Sequence, residues 1–171
     1  MVFGIDFLMQ IVQNFGYLGF VLIGFLSSFL IFIPSPAFIV VFLAAPFYNP
    51  LLLGLAAGLG SAIGEMTGYG AGYGLEKLFE KKSKNKSKLR KQIMQIEKLF
   101  QKYHPDLVIF AFAALPLVPI DALGIFCGVI KYNKKKFFFY VLLGKIIKFV
   151  LLAYMGFYGM SFILNVFGLS L

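Results

Sequence analysis

Apolar positions run through this chain in blocks too long for one face of a soluble helix, and polar positions gather between the blocks. Tyr17 to Phe47 carries no charged residue and is interrupted by Pro34-Ser35-Pro36. Proline lacks an amide donor and clashes with the preceding turn, so a helix breaks there. Asn49-Pro50 opens the next block, Leu51 to Leu75, whose one charge is Glu65. It is long enough to cross a bilayer. Residues 76–105 are polar and basic; within them Leu89, Ile93, Ile96, Leu99, Phe100 and Tyr103 mark one face of an amphipathic helix. Such a helix is expected to lie on the cytoplasmic leaflet. A second interrupted block, 106–130, is broken at Pro116 and Pro119 and precedes the last, Lys134 to Leu171. That final stretch is too long for one straight span, and Gly156 and Gly159 are its expected break points. Near the start, Phe3, Phe7, Leu8, Ile11, Val12 and Phe15 at helical spacing predict a short interfacial helix within residues 1–16.

The block at 106–130 has lysine clusters on both flanks. Lysine-rich loops stay in the cytoplasm, so a single crossing would export one cluster. A hairpin that enters, turns at the prolines and returns keeps both inside. Each arm of roughly 12 residues rises about 18 Å, which ends near mid-membrane in a core of about 30 Å. Re-entrant backbone survives only against protein or a water-filled cavity, so the turn implies a buried polar site. Residues 17–48 read as a second hairpin with Ser35 at its tip.

Two halves align at an offset of about 84 residues. Tyr48-Asn49 answers Tyr132-Asn133 (132 − 48 = 84), Gly60 answers Gly144, Tyr73-Gly74 answers Tyr158-Gly159, and Pro34–Pro36 answers Pro116–Pro119. Segment 50–75 must end in the cytoplasm, where 76–102 lies, whereas the helix after Lys136 must leave it. The predicted fold is therefore an all-α integral membrane bundle: one domain, 1–171, of inverted repeats with two opposed re-entrant hairpins and an external N-terminus. Inverted repeats with discontinuous helices recur in secondary transporters.

Composition agrees with this picture. The chain is 60% hydrophobic and 13% charged, with mean hydropathy +0.88. Its formal charge is +9, but ten Lys/Arg against three Glu fall in 76–102, and further lysines stand at 131, 134, 135 and 136. These juxtamembrane blocks predict contact with anionic headgroups and no nucleic acid, since no recognition motif accompanies them. Cys127 is the only cysteine, so no intrachain disulfide and no cysteine-based metal site is expected. His104, beside Pro105 at a helix end, has the ordinary role of a charge at a helix C-terminus.

Four ionisable residues fall within membrane-length segments: Glu65, Asp121, Lys145 and Lys148. Each costs roughly 2.5–3.5 kcal/mol at a helix centre, so each must face a cavity or pair with another. Tips bounded by Pro34 and Pro36, and by Pro116 and Pro119, leave backbone groups that a headgroup can use. Gly60, Gly64, Gly68 and Gly72 recur every fourth residue, with Gly54 and Gly58 alongside. That spacing lets helix backbones approach closely. Nothing points to hydrolysis: no Ser/His/Asp set, cysteine nucleophile or metal cluster is visible, and neither an enzyme nor a cofactor is expected.

These features resemble the DedA / VTT-domain family, also called SNARE-associated Golgi proteins. Gly64-Glu65-Met-Thr-Gly-Tyr69-Gly-Ala-Gly72 fits its G-[D/E]-x-x-x-Y-x-x-G, Pro116-Leu-Val-Pro119 with Gly124 its second proline motif, and Gly144-Lys145 its Gly-basic pair. The resemblance covers about residues 17–160 and implies lipid movement between leaflets, with Glu65, Asp121, Lys145, Lys148, Ser35 and Tyr69 as candidate transport residues. Its substrates would be phospholipids or polyprenyl phosphates. In bacterial members the resemblance also implies a link to proton motive force, and two departures bear on that coupling. Only Ser27, Ser28 and Ser35 stand where many bacterial members carry an acid in the first hairpin, and Ala113 stands where they carry arginine. The expectation is thus a multi-pass plasma-membrane lipid transporter of prokaryotic, archaeal-type composition. Its rivals are a small-solute or ion transporter and a non-transporting scaffold.

Overall fold

The computed structural model describes residues 10–28, 36–82, 104–115 and 120–166, with isolated positions at 91, 94, 95, 98, 100 and 102. The side chains of 76–82, 120, 121, 160, 161 and 163–166 lie outside that description. The described residues are helical, with no strand among them. After helical residues 10–15 come α1 (Tyr17–Ser27), α2 (Pro36–Ala44) and a short 3-10 turn (Ala45–Phe47), then α3 (Pro50–Lys82). Next are α4 (Pro105–Ala114), α5 (Ile120–Val129) and α6 (Lys134–Val166). The order short, short, long thus occurs twice, and α3 and α6 both have 33 residues.

The two long helices begin in the same way. Asn49 Oδ1 accepts from Leu51 N–H at 3.0 Å and Leu52 N–H at 3.2 Å. Asn133 Oδ1 accepts from Lys135 N–H at 3.0 Å and Lys136 N–H at 3.2 Å. An asparagine before the first turn satisfies amides that have no partner inside the helix. Each helix contains a segment of 26 residues, Pro50–Leu75 and Lys134–Gly159, long and apolar enough to cross a membrane. The four short helices have 11, 9, 10 and 10 residues. At 1.5 Å per residue they rise about 14–17 Å, half a bilayer core.

Three boundaries differ from the sequence expectation. Helix α6 runs unbroken through Gly156 and Gly159, because Gly156 packs its bare Cα face against the Phe42 carbonyl instead of bending. Helix α3 continues past Leu75 to Lys82. His104 precedes Pro105 at the N-terminus of α4, with φ 50°, and so does not serve as a C-terminal charge for that helix.

Two compact units divide the chain: Met1–Gly64 with Lys145–Leu171, and Glu65–Gly144. In the first, the start of α3 and the end of α6 lie antiparallel, because Gly54 faces Val150 while Gly58 faces Ile146. The neighbouring glycine row turns to α1: a Cβ at Gly60 would fall 1.9 Å from the Val21 carbonyl oxygen, and one at Gly64 2.6 Å from Ser28 Cβ. Two glycine rows therefore seat two different helices on α3. In the second unit Gly72 meets the Ile125 backbone of α5, and Gly144 meets Phe110 and Ala113 of α4.

Polarity is arranged inside out. Leu18, Leu22 and Leu26 of α1, Leu55, Leu59 and Ile63 of α3, and Ile147, Leu151 and Met155 of α6 are exposed, whereas Ser61, Glu65, Lys145 and Lys148 are buried. Water would not tolerate so much aliphatic surface in repeating outward stripes. Lipid does, and leaves small residues to make the helix contacts.

Candidate functional site

In the first unit, four elements close a ring of polar contacts. Ser27, at the end of α1, accepts a buried hydrogen bond at 3.0 Å from Ala37 N–H, an amide of the first turn of α2. Ser28 Oγ donates to the Ser61 carbonyl oxygen at 3.0 Å and lies 3.3 Å from Ser61 Oγ. Lys145 Nζ of α6 donates to Ser61 Oγ at 3.0 Å. One turn along α6, Lys148 Nζ sits 5.3 Å from the centroid of Phe38, back on α2, and 5.8 Å from that of Phe149. The circuit therefore runs from α1 to α3, α6, α2 and back to α1.

Local sequence explains each placement. Ser61 and Lys145 are each the twelfth residue of their helix, close to the middle of the 26-residue apolar segment. Lysine fits there because its long apolar stem packs while its ammonium reaches hydroxyls and ring faces. Lys145 is 5% exposed and Lys148 7%. The N-terminal end of α2, which carries about half a positive charge, opens within the same circuit. Two ammonium groups, three serine hydroxyls and a helix N-terminus make a setting for an anion.

The second unit holds the acidic half of the sequence motif. Glu65 is 1% exposed. Gly124 of α5 makes room for it, since a Cβ there would fall 2.8 Å from Glu65 Oε1. One turn on, Gly128 accommodates the Tyr69 backbone in the same way. The glycine pair of α5 thus straddles the Glu65/Tyr69 pair of α3. The Tyr69 hydroxyl donates to the Tyr132 carbonyl oxygen, and the Tyr132 hydroxyl to Asp106 at the start of α4. Burial, then the bond to Asp106, holds the Tyr132 phenol above its ordinary value of 10.0. Lys136 lies 3.8 Å from Asp106. Tyr69 therefore fastens the α5–α6 connection.

Of the other predicted site residues, Pro36 opens α2 and Asp121 lies in the first turn of α5, its side chain outside the described set. Pro34, Ser35, Pro116 and Pro119 also fall outside it, and Gly68 is half-buried in α3. Most of the predicted amphipathic face falls outside as well. Its described member Phe100 packs edge-on against Phe126 and Tyr132, so protein takes up that apolar position. Ala113 is fully buried, with its Cβ 2.5 Å from where a Cβ on Gly144 would stand. An arginine has no room there without separating α4 from α6. Sequence reasoning missed Ser61. Its signal was the repeat offset, which sets Ser61 at the register of Lys145 (61 + 84 = 145).

Comparison with known proteins gives one positive finding: the family model described as the VTT domain matches residues 33–158. No curated protein and no solved structure matches the chain.

Proposed function

Because the chain belongs to the VTT-domain family, a family of membrane proteins, we propose that it moves an amphipathic lipid with an anionic headgroup between leaflets of the plasma membrane. A phospholipid or a polyprenyl phosphate fits this description. The observation that carries the reading is the ring in the first unit, which brings the Lys145 and Lys148 ammonium groups, the Ser27, Ser28 and Ser61 hydroxyls and the first turn of α2 together midway along an apolar helix.

Cations midway along an apolar helix need polar surroundings, and a headgroup phosphate is a chemical match for ammonium and hydroxyl groups through charge-assisted hydrogen bonds. Short helices α1 and α2 reach half the bilayer depth, as do α4 and α5, which supports reading each pair as a re-entrant hairpin. The antiparallel run of α3 and α6 in the first unit supports inverted repeats. In this reading the headgroup crosses at the polar ring while its tails stay in lipid along the outward leucine stripes. No covalent step is involved, and the protein is a transporter rather than an enzyme. Ala113 packed on Gly144 leaves no site for the arginine of many bacterial members, which favours uncoupled exchange, or a different headgroup, over the proton coupling of those members.

Reconstitution tests this directly. In liposomes carrying a fluorescent anionic phospholipid, an impermeant quencher added outside should bleach nearly all of the dye with protein, and about half without it. Lys145→Ala and Lys148→Ala should slow the exchange. Solute uptake with no lipid exchange by folded protein would replace this reading with the small-solute transporter. Neither activity would leave a scaffold whose basic segment binds anionic headgroups.

A further inference from the structure

We propose that Ser27 is the specificity-determining donor of the polar ring: its hydroxyl proton, beside the Phe38 amide at the start of α2, binds an oxygen of a headgroup phosphate. This rests on the transport reading above and adds to it a subsite with a required polarity.

A serine hydroxyl has one proton to donate and two lone pairs with which to accept. The protons of the ring can be traced. Ser28 gives its own to the carbonyl oxygens of Ser61, at 3.0 Å, and Gly24, at 3.3 Å. The Oγ atoms of Ser28 and Ser61 stand 3.3 Å apart, so the proton between them is the one on Ser61. Both protons are therefore used within the protein. Ser27 differs. Its hydrogen bond among the described residues is with Ala37 N–H, and there Ser27 Oγ is the acceptor. Its proton meets no acceptor among those residues, although Ser27 is only 7% exposed. A buried donor without an acceptor is costly, and native structures rarely keep one.

The place of that proton sets what can satisfy it. Ala37 N–H belongs to the first turn of α2, a helix of nine residues. Amides of a first turn have no carbonyl inside their own helix. Pro36 has no N–H and the Ala37 amide is taken by Ser27, so the Phe38 amide comes next in the turn. The helix end adds about half a positive charge and favours an anionic oxygen. Accepting from Ala37 also polarises the Ser27 hydroxyl and makes it a stronger donor. A side-chain hydroxyl and a first-turn amide thus offer donors at one helix end. An ionised phosphate oxygen suits them, because it only accepts; an ammonium, which only donates, does not. Phosphate monoesters and diesters both carry such an oxygen, so the subsite reads the phosphate and not the rest of the head.

In detergent, dihexanoyl phosphatidic acid should shift the Phe38 amide signal in NMR spectra of isotope-labelled protein, and inorganic phosphate at the same concentration should shift it far less. Ser27→Ala should weaken the binding on the order of tenfold, the worth of a hydrogen bond to a charged oxygen. Ser27→Asp separates the two roles of the residue. Its carboxylate still accepts from Ala37 N–H, but it has no proton to donate and meets the phosphate with like charge. It should fold and lose the shift, and Ser27→Asn, of the same size but with a donor, should bring it back in part. Wild-type affinity in Ser27→Ala, a shift retained in Ser27→Asp, or an equal shift with inorganic phosphate overturns the proposal. Should Ser27→Asp not fold, Ser27→Ala decides alone. In liposomes, wild-type exchange by Ser27→Ala would overturn it and leave the transport reading standing. If folded wild-type protein exchanges no lipid, the transport reading fails. A Ser27-dependent shift would still establish the subsite in that case, so the two failures are distinguishable.

Discussion

Ser61 shows how much one small hydroxyl can organise. Its Oγ accepts from Lys145 at 3.0 Å and lies 3.3 Å from Ser28 Oγ, so Ser61→Ala should destabilise the folded protein by about 1–2 kcal/mol. Thermal melting in detergent measures this, and Ser61→Thr, which keeps the hydroxyl, should recover most of the loss. Sequence alone did not expose it. A serine among glycines reads as one more small residue, and only a helix crossing decides which residue it meets. Phe38 was hidden for a related reason, as one of 22 phenylalanines whose ring faces acquire meaning only opposite a charge. The buried ions were legible, because charge in an apolar run needs explanation wherever it falls. Tyr132 gives a prediction at alkaline pH. Its phenol is held above 10.0 chiefly by burial, then by the bond to Asp106. A raised folded value means that the stabilisation is complete below the unfolded value and is lost as pH rises through the folded one. Tyr132→Phe should lack this alkaline loss, so its melting temperature should fall less than the wild type's between about pH 9 and 11. An equal fall in both would rule Tyr132 out as its source.

At the scale of elements, the helix starts were the most legible part of the chain. Asn49 and Asn133 announce the long helices because an N-cap is a local device, written in the residues beside it. The helix ends were not, since Gly156 looks like a breaker until the Phe42 carbonyl is placed against it. The glycines of α3 separate into two kinds that sequence cannot tell apart. Gly60 and Gly72 lie under neighbouring backbone, whereas Gly70 and Gly74 have nothing within 4 Å of an added Cβ. Gly60→Leu and Gly72→Leu should therefore abolish monodisperse folded protein on size exclusion. Gly70→Ala should be tolerated and raise stability by up to about 1 kcal/mol, the helix preference of alanine over glycine. Loss of fold in Gly70→Ala would mean that its outward face is covered in the membrane.

For the whole molecule, the lysine distribution predicts which side each loop occupies. Cys127 is the only cysteine and is buried, so Cys127→Ala gives a clean background for single cysteines. In intact cells an impermeant maleimide should label Asn49→Cys at once, and Lys135→Cys only after permeabilisation. Labelling of both from the same side would defeat the inverted arrangement. The contact between Ser61 and Lys145 has one more consequence, for descent. The two residues are each the twelfth of their helix, and they touch. Were the halves identical chains paired about a twofold axis, that place would meet its own copy, serine on serine or lysine on lysine. Two facing ammonium groups would repel. On the inverted-repeat reading, a serine facing a lysine there needs two halves that differ in sequence, which one chain encoding both allows.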